Sequence, residues 1–215
     1  MRRAPLTRER VLAAALELAD AGGLESLSMR KVATALGVEA MSLYNHVANK
    51  EDLVDGLVDL VFAEIDLPVP GAPDWKGEMR RRAVSVREVL NRHRWAVGLM
   101  ESRMRPGPAN LRSHNAVMGC LREAGFAFRA AVHASSLLDA YIYGFALQEA
   151  SLPFDTAQDH AEVVEAKQAA VPDLTPFPYL VEVFTEMARA GYDYATEFAF
   201  GLDLILGALE RAQTK

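Results

Sequence analysis

Gly37 stands between two short runs whose apolar positions repeat at helical spacing, and that arrangement restricts the chain to few folds. Val32, Ala33 and Leu36 mark one side of the first run, and Leu43 and Val47, four apart, mark one side of the second. Turning tightly from one packed helix into the next calls for a residue that tolerates positive φ, which glycine supplies without steric cost. The pattern predicts a helix-turn-helix, with the second helix starting near Glu39 or Ala40 and continuing as a rod to His46.

With Leu43 and Val47 turned inward, Ala40, Met41, Ser42, Tyr44, Asn45 and His46 are left to face a duplex. Ala40 and Met41 suit a thymine methyl, Ser42 and Asn45 can hydrogen-bond base edges, and Tyr44 and His46 suit phosphate oxygens. Ser28, Arg30 and Lys31 open the preceding helix; Arg30 can bond O6 and N7 of one guanine together. Asn49 can cap the next helix, whose free amides and Lys50 ammonium would seat a phosphate.

The runs Ser28-Met29-Arg30-Lys31-Val32-Ala33, Leu36-Gly37-Val38, Leu43-Tyr44-Asn45-His46-Val47 and Asn49-Lys50-Glu51-Asp52-Leu53 resemble the TetR family of bacterial repressors. The tetracycline-repressor-like branch is the most similar, through Leu43 to Val47 and the late run Phe200 to Gly207. This resemblance implies an all-α homodimer: a three-helix helix-turn-helix domain over residues 1–50, a linking helix at 50–66, and a helical effector-binding and dimerisation domain over 67–215. Glu39 departs from the Ser or Thr cap of many relatives, although a carboxylate can also cap. The tetracycline-binding pattern would have His, Asn and Phe where this chain has Asp66, Arg82 and Val86, so a different ligand is expected.

Charge follows the same division. The chain carries a net charge of -6, yet residues 1–50 hold seven Lys and Arg against five Asp and Glu, leaving 16 against 24 beyond. A basic head on an acidic body turns its head toward phosphates. The single Cys120 cannot form an internal disulfide, and a buried packing role in a reducing compartment is expected. Met1-Arg2-Arg3 is followed by Pro5 and charged residues rather than an apolar signal core, and the longest apolar helix is broken by Asp139. A cytoplasmic protein without a membrane partner is therefore expected.

Thr7 should cap a first helix that ends at Gly22-Gly23. Lys50 to Ile65 should form the fourth, and the Leu67-to-Pro73 stretch, with three prolines, should break it. Further helices are predicted from Asp74 to Arg92, Trp95 to Ser102, Pro108 to Ala124, Phe128 to Leu152 and Asp193 to Ala212. A mixed-charge helix is predicted over Thr156 to Ala170, after which Pro172, Pro176 and Pro178 interrupt the chain. The Phe128 segment is apolar nearly all round, and the last helix carries Phe198, Leu202, Ile205 and Leu209 on one stripe. Together with Ile142 these residues are expected to pair with a second copy as a four-helix interface. The alternative is that they complete the core of one chain.

The effector site is expected among Val86, Leu90, Met100, Met104, Arg105, His114, Val117, Met118, Ser135, Leu138, Asp139 and Tyr143. Methionines give an adaptable apolar lining, and His114, Ser135 and Asp139 can orient a polar group, favouring a small hydrophobic or aromatic ligand. At helical spacing the Met and Leu positions also read as plain core. Asp139 is the anomaly. A carboxylate in an apolar helix needs a partner, and the ligand, Arg105 or a donor from a second chain are the candidates.

No G-x-S-x-G elbow, phosphate-binding glycine loop or H-E-x-x-H occurs, and the five histidines are scattered, so neither an enzyme nor a metal or cofactor is expected. His160 with Glu162 and Glu165 reads as a solvated helix face. The expected function is a repressor that binds a palindromic operator as a homodimer and leaves it on binding an inducer. The competing reading is a small-molecule-binding or interaction protein with a vestigial helix-turn-helix.

Overall fold

The computed structural model describes residues 5–151, 173–190 and 193–213. Among these the chain is helical throughout, in the order α1 (Arg8–Ser26), α2 (Met29–Leu36), α3 (Ala40–Leu43), α4 (Lys50–Ala63), α5 (Trp75–Arg92), a 3-10 segment (Arg94–Leu99), α6 (Pro108–Glu123), α7 (Phe128–Ala150), α8 (Pro178–Ala190) and α9 (Tyr194–Gln213). The expected Thr156–Ala170 helix, Leu152, the amino-terminal Met1-Arg2-Arg3 and the His160 group lie outside the described residues.

Side-chain caps start five of these helices, the last being α9, where Thr196 N donates to Asp193 at 3.0 Å. The amides of Arg10, Lys31, Asp52 and Gly77 donate to Thr7, Ser28, Asn49 and Asp74 at 2.8–3.3 Å, each offsetting an orphan donor of a first turn. Two boundaries differ from expectation. The first helix does not stop at Gly22-Gly23: Gly23 adopts φ 70° and kinks it, and the helical run resumes through Ser26. Pro176 sits in a turn as expected, but Pro178 does not interrupt the chain: it opens α8, a helix not expected from the sequence, where its missing N–H costs nothing.

Two apolar clusters form, and α4 belongs to both. Its first half supplies Leu53 and Leu57 to the cluster of Val11, Ala15, Leu27, Val32, Leu43 and Val47. Its second half supplies Val58, Val61 and Phe62, joined by Ile65 just past its end, to the cluster of α5, α6, α7 and α9, where the Trp75 and Phe126 rings meet edge-on at 5.0 Å. A rigid rod embedded at both ends transmits displacement between them. A polar joint adds a second link: Asp20 of α1 accepts from Trp95 Nε1 at 2.7 Å and meets His93 Nδ1 at 2.7 Å, while His93 Nε2 faces Glu64 at 3.1 Å.

The stripe expected at a dimer interface faces the protomer's own interior. Ile142, Phe198 and Leu202 are each 1 % exposed and Leu209 is buried beside them, with Ile205 half-buried at the edge. The side of these two helices left uncovered carries instead Val132, Leu137 and Leu147 on α7 and Phe200 and Leu204 on α9. The periodicity marks the stripe. Which stripe the protomer claims for itself depends on how α9 lies across α7, fixed by Gly201 against the Tyr141 ring and by the Tyr141 hydroxyl donating to Phe198 O at 2.9 Å. No helix among the described residues is long and apolar enough to cross a membrane.

Candidate functional site

The turn of the amino-terminal motif closes as its sequence requires. Gly37 sits at φ 63°, ψ 41°, and the amides of Gly37 and Val38 donate to Thr34 O and Ala33 O at 3.0 Å, tying off α2. Leu43 and Val47 are buried against Val32, which leaves Met41 75 % and Tyr44 46 % exposed. Arg30, Lys31, Glu39, Asn45 and Lys50 are exposed as well, while Ala40, Ser42 and His46 are half-buried.

Three details depart from expectation. The segment from Ala40 to His46 is not one rod: α3 ends at Leu43, and Tyr44 to His46 continue in tighter turns, with His46 N donating to Leu43 O at 2.9 Å. Glu39 makes no side-chain cap to α3. The Ser28 hydroxyl is engaged with Lys31 N, so it serves α2 itself.

Sequence reasoning overlooked Arg8. Its guanidinium donates to both oxygens of Asp52, at 2.7 and 3.0 Å, and to His46 O at 2.9 Å. It thereby pins the end of the α3 segment to α1 and α4. That hydrogen bond holds the Asp52 carboxyl below the usual range, helped by Ala48 N at 2.8 Å. No local signal marks Arg8, because its partners lie 38 and 44 residues away.

In the body, Val86, Leu90, Met100, Val117 and Leu138 pack in the core, with Met118 half-buried against it. Two expected wall residues are elsewhere. Met104 is 96 % exposed, and Arg105 lies with it in a crevice of about 930 Å3 between head and body, lined also by Arg8, Asp52, Asp55 and Arg103. The connection after the 3-10 segment carries them outward, because Arg103 binds Asp55 of α4 at 2.5 Å and Asp59 accepts the amides of Ala109 and Asn110.

Asp139 therefore does not pair with Arg105. Its partner is Arg82, only 2 % exposed, whose Nη2 lies 2.9 Å from Oδ1, while Ser135 Oγ donates to Oδ2 at 3.3 Å. A signal for Arg82 existed: it falls three residues after Met79 and four before Val86, on the buried side of α5. Near this pair lie Tyr143, Glu101 and His114. Burial pushes the Tyr143 hydroxyl far up from its ordinary value, with Asp139 adding to the shift. Glu101 is close enough to feel that hydroxyl, yet Tyr143 makes no well-directed hydrogen bond. Burial likewise pushes the Cys120 thiol up to about 11, which suits packing rather than redox chemistry. Among the described residues no group of three or more His, Cys, Asp and Glu is placed to hold a metal ion.

His114 Nε2 meets Glu101 at 3.5 Å and Nδ1 faces Asn110 O at 3.0 Å. The Glu101 hydrogen bond raises His114 above 6.5, and the same contact lowers Glu101 below 4.5. The raised histidine contributes stability that is complete below its unfolded value and fades as pH climbs through the folded one. The depressed carboxylate contributes above its unfolded value and loses this as pH falls. Between 4.5 and 6.5 both contributions are present. His114→Gln should accordingly trail the parent protein most in urea midpoint inside that window, and the gap should close as pH rises; a gap constant with pH would exclude the pair.

Two family descriptions match the chain: "Bacterial regulatory proteins, tetR family" over residues 11–57 and "Tetracyclin repressor-like, C-terminal domain" over residues 67–212. The chain belongs to the TetR family. An HTH-type transcriptional regulator of Saccharopolyspora erythraea is 37% identical over 139 residues, covering 65% of this chain but 59% of that protein's own length. The HTH-type transcriptional repressor DrrR1 of Streptomyces coeruleorubidus is 31% identical over 95% of this chain and 77% of its own. Among solved structures, ActR of Streptomyces coelicolor in complex with actinorhodin matches with a TM-score of 0.79 and 30% identity, covering 99% of this chain and 100% of that one. This TetR-family transcriptional regulator thus joins a helix-turn-helix head to a ligand-binding type of body, and it carries a buried Arg82–Asp139 pair there.

Proposed function

We propose that this regulator is a repressor that binds a two-fold symmetric operator as a homodimer and is released by a small hydrophobic or aromatic inducer. The observation that carries the reading is α4, built into the cores of both head and body. Arg30, Ala40, Met41, Ser42 and Asn45 would read the major groove, with Lys31, Tyr44, His46 and Lys50 on phosphates. A single head reads too few base pairs for useful selectivity, which supports pairing through the uncovered Leu137, Leu147, Phe200 and Leu204.

Inducer release follows from the connection after the 3-10 segment. Glu101 faces the polar cluster of the body, and two residues later Arg103 holds Asp55 of α4. A ligand that displaces Glu101 pulls on α4 and changes the separation of the two heads, so they no longer fit successive grooves. By reciprocity, operator weakens inducer binding by the same factor, about 5- to 150-fold in typical cases.

Footprinting on the flanks of its own gene tests the reading: protection of a palindrome supports it, and absence of any site together with retained ligand binding favours a vestigial head. Arg30→Ala should cost about 1–3 kcal/mol of operator binding and relax one base position. Lys50→Ala should instead weaken all duplexes alike and flatten the salt dependence by about one unit of slope. Identical behaviour of the two variants would refute this division of labour.

A further inference from the structure

His93 stands where the head, the end of α4 and the body meet. It closes α5 and precedes the 3-10 segment, it is 5 % exposed, and each of its ring nitrogens faces a carboxylate of a different helix. Nδ1 lies 2.7 Å from Asp20 of α1, and Nε2 lies 3.1 Å from Glu64, the residue that ends α4. Both carboxylates have a further donor. Asp20 accepts from Trp95 Nε1 and Glu64 accepts from Arg92 Nη2, each at 2.7 Å. The Trp95 ring meets His93 edge-on at 6.4 Å and packs against the apolar clusters of head and body alike.

A neutral imidazole carries one N–H and one lone pair, so it can donate to only one carboxylate and must turn its lone pair on the other. An imidazolium donates to both. Hydrogen bonds between charged groups in a site shielded from water are also the strong ones. Charge balance agrees, because Asp20 and Glu64 bring two negative charges and a protonated His93 and Arg92 bring two positive ones. These groups come from α1, α4 and α5, and Arg94 adjoins the ring along the chain. Burial works against the charge on Glu64, yet Arg92 and His93 hold its carboxyl below its ordinary 4.5, which leaves the shared proton on the ring.

We infer that His93 is the positioning residue of the head: with a proton on each ring nitrogen, it ties α1 and the end of α4 to the body at one point and so fixes the tilt of the helix-turn-helix for operator binding. This rests on the proposal that the protein binds a palindromic operator as a homodimer. Two heads must enter successive major grooves together, and a joint that loosens in each protomer spreads their separation over more arrangements. Loss of the His93 proton releases one carboxylate, and operator affinity falls.

Two measurements on the full-length protein test this. Two-bond nitrogen–proton NMR correlations of the imidazole rings should show both nitrogens of His93 protonated at about pH 7. A single protonated nitrogen there overturns the inference, whether or not an operator has been found. Affinity for the palindrome protected in the footprint should fall about tenfold from about pH 6 to about pH 9, the size expected for one hydrogen bond between charged groups. His93→Gln should bind about tenfold more weakly at the low end, with a flatter profile. Glu64→Gln separates positioning from packing, because its amide can present its oxygen to a charged ring or its N–H to the lone pair of a neutral one. That variant should match the parent at low pH and keep its affinity at high pH. His46 and the His114–Glu101 pair are present in all three proteins, so their response to pH cancels in the difference between profiles. A side chain that merely packs would give three parallel profiles. Parallel profiles, or a Glu64→Gln protein that weakens with pH as the parent does, overturn the inference. If both nitrogens are protonated but no palindrome is protected, the repressor reading has failed and takes the positioning role with it, while the doubly protonated joint stands.

Discussion

Arg82→Met should lower the stability of the protein by about 3–5 kcal/mol, measured as a shift in urea midpoint at fixed protein concentration. The guanidinium is 2 % exposed and meets an Asp139 side chain that is 14 % exposed, so its removal strands a carboxylate in an apolar interior. The size of the effect comes from that stranded charge rather than from the intrinsic strength of the pair. The double variant Arg82→Met/Asp139→Leu should therefore recover most of the loss and could exceed the parent in stability, since desolvating both charges offsets much of their attraction. A single variant within about 1 kcal/mol of the parent would mean that water reaches the pair.

Leu43→Ala should destabilise the head by about 2–5 kcal/mol and remove operator binding. Leu43 is fully buried among Val11, Val32, Val47 and Leu53, and it is the inward anchor of a helix only four residues long. A helix this short has no stability of its own, so the orientation of Met41, Ser42 and Tyr44 depends on that contact. The body has a separate core and should keep its helicity, visible as a small loss of far-ultraviolet circular dichroism accompanied by complete loss of the footprint. Retention of specific operator binding would show that Tyr44 to Val47 alone hold the reading segment, with Arg8 clamping His46 O.

These two residues also mark how far sequence reasoning reached. Leu43 was legible as an anchor because it lies four residues from Val47 and across Gly37 from Val32, and short-range spacing is what helical geometry converts directly into a face. Arg82 occupied an equally regular position on the buried side of α5, but a charge there reads as a substitution in a ligand pattern until its counterion is located. Asp139 was identifiable as needing a partner, yet the choice among donors depended on the loop after the 3-10 segment, which carries Arg105 out into the crevice and leaves Arg82 opposite. Phe198 and Leu202 show the same limit. Their stripe was evident, but a helix with apolar residues on two sides offers no internal reason to prefer one for its own core.

The sequence alone determined most of the helices, the caps at Thr7, Asn49 and Asp74, the Gly37 turn and the exposure of Arg30, Met41 and Tyr44, because each depends on backbone preference and on side chains within about four positions. Only the tertiary structure decided which apolar stripe is internal, that Arg8 clamps the reading segment through Asp52, and that Arg82 rather than Arg105 neutralises Asp139. Those partners are brought together by helix packing, and the loop paths and crossings that set it leave no periodic trace in the residues they join.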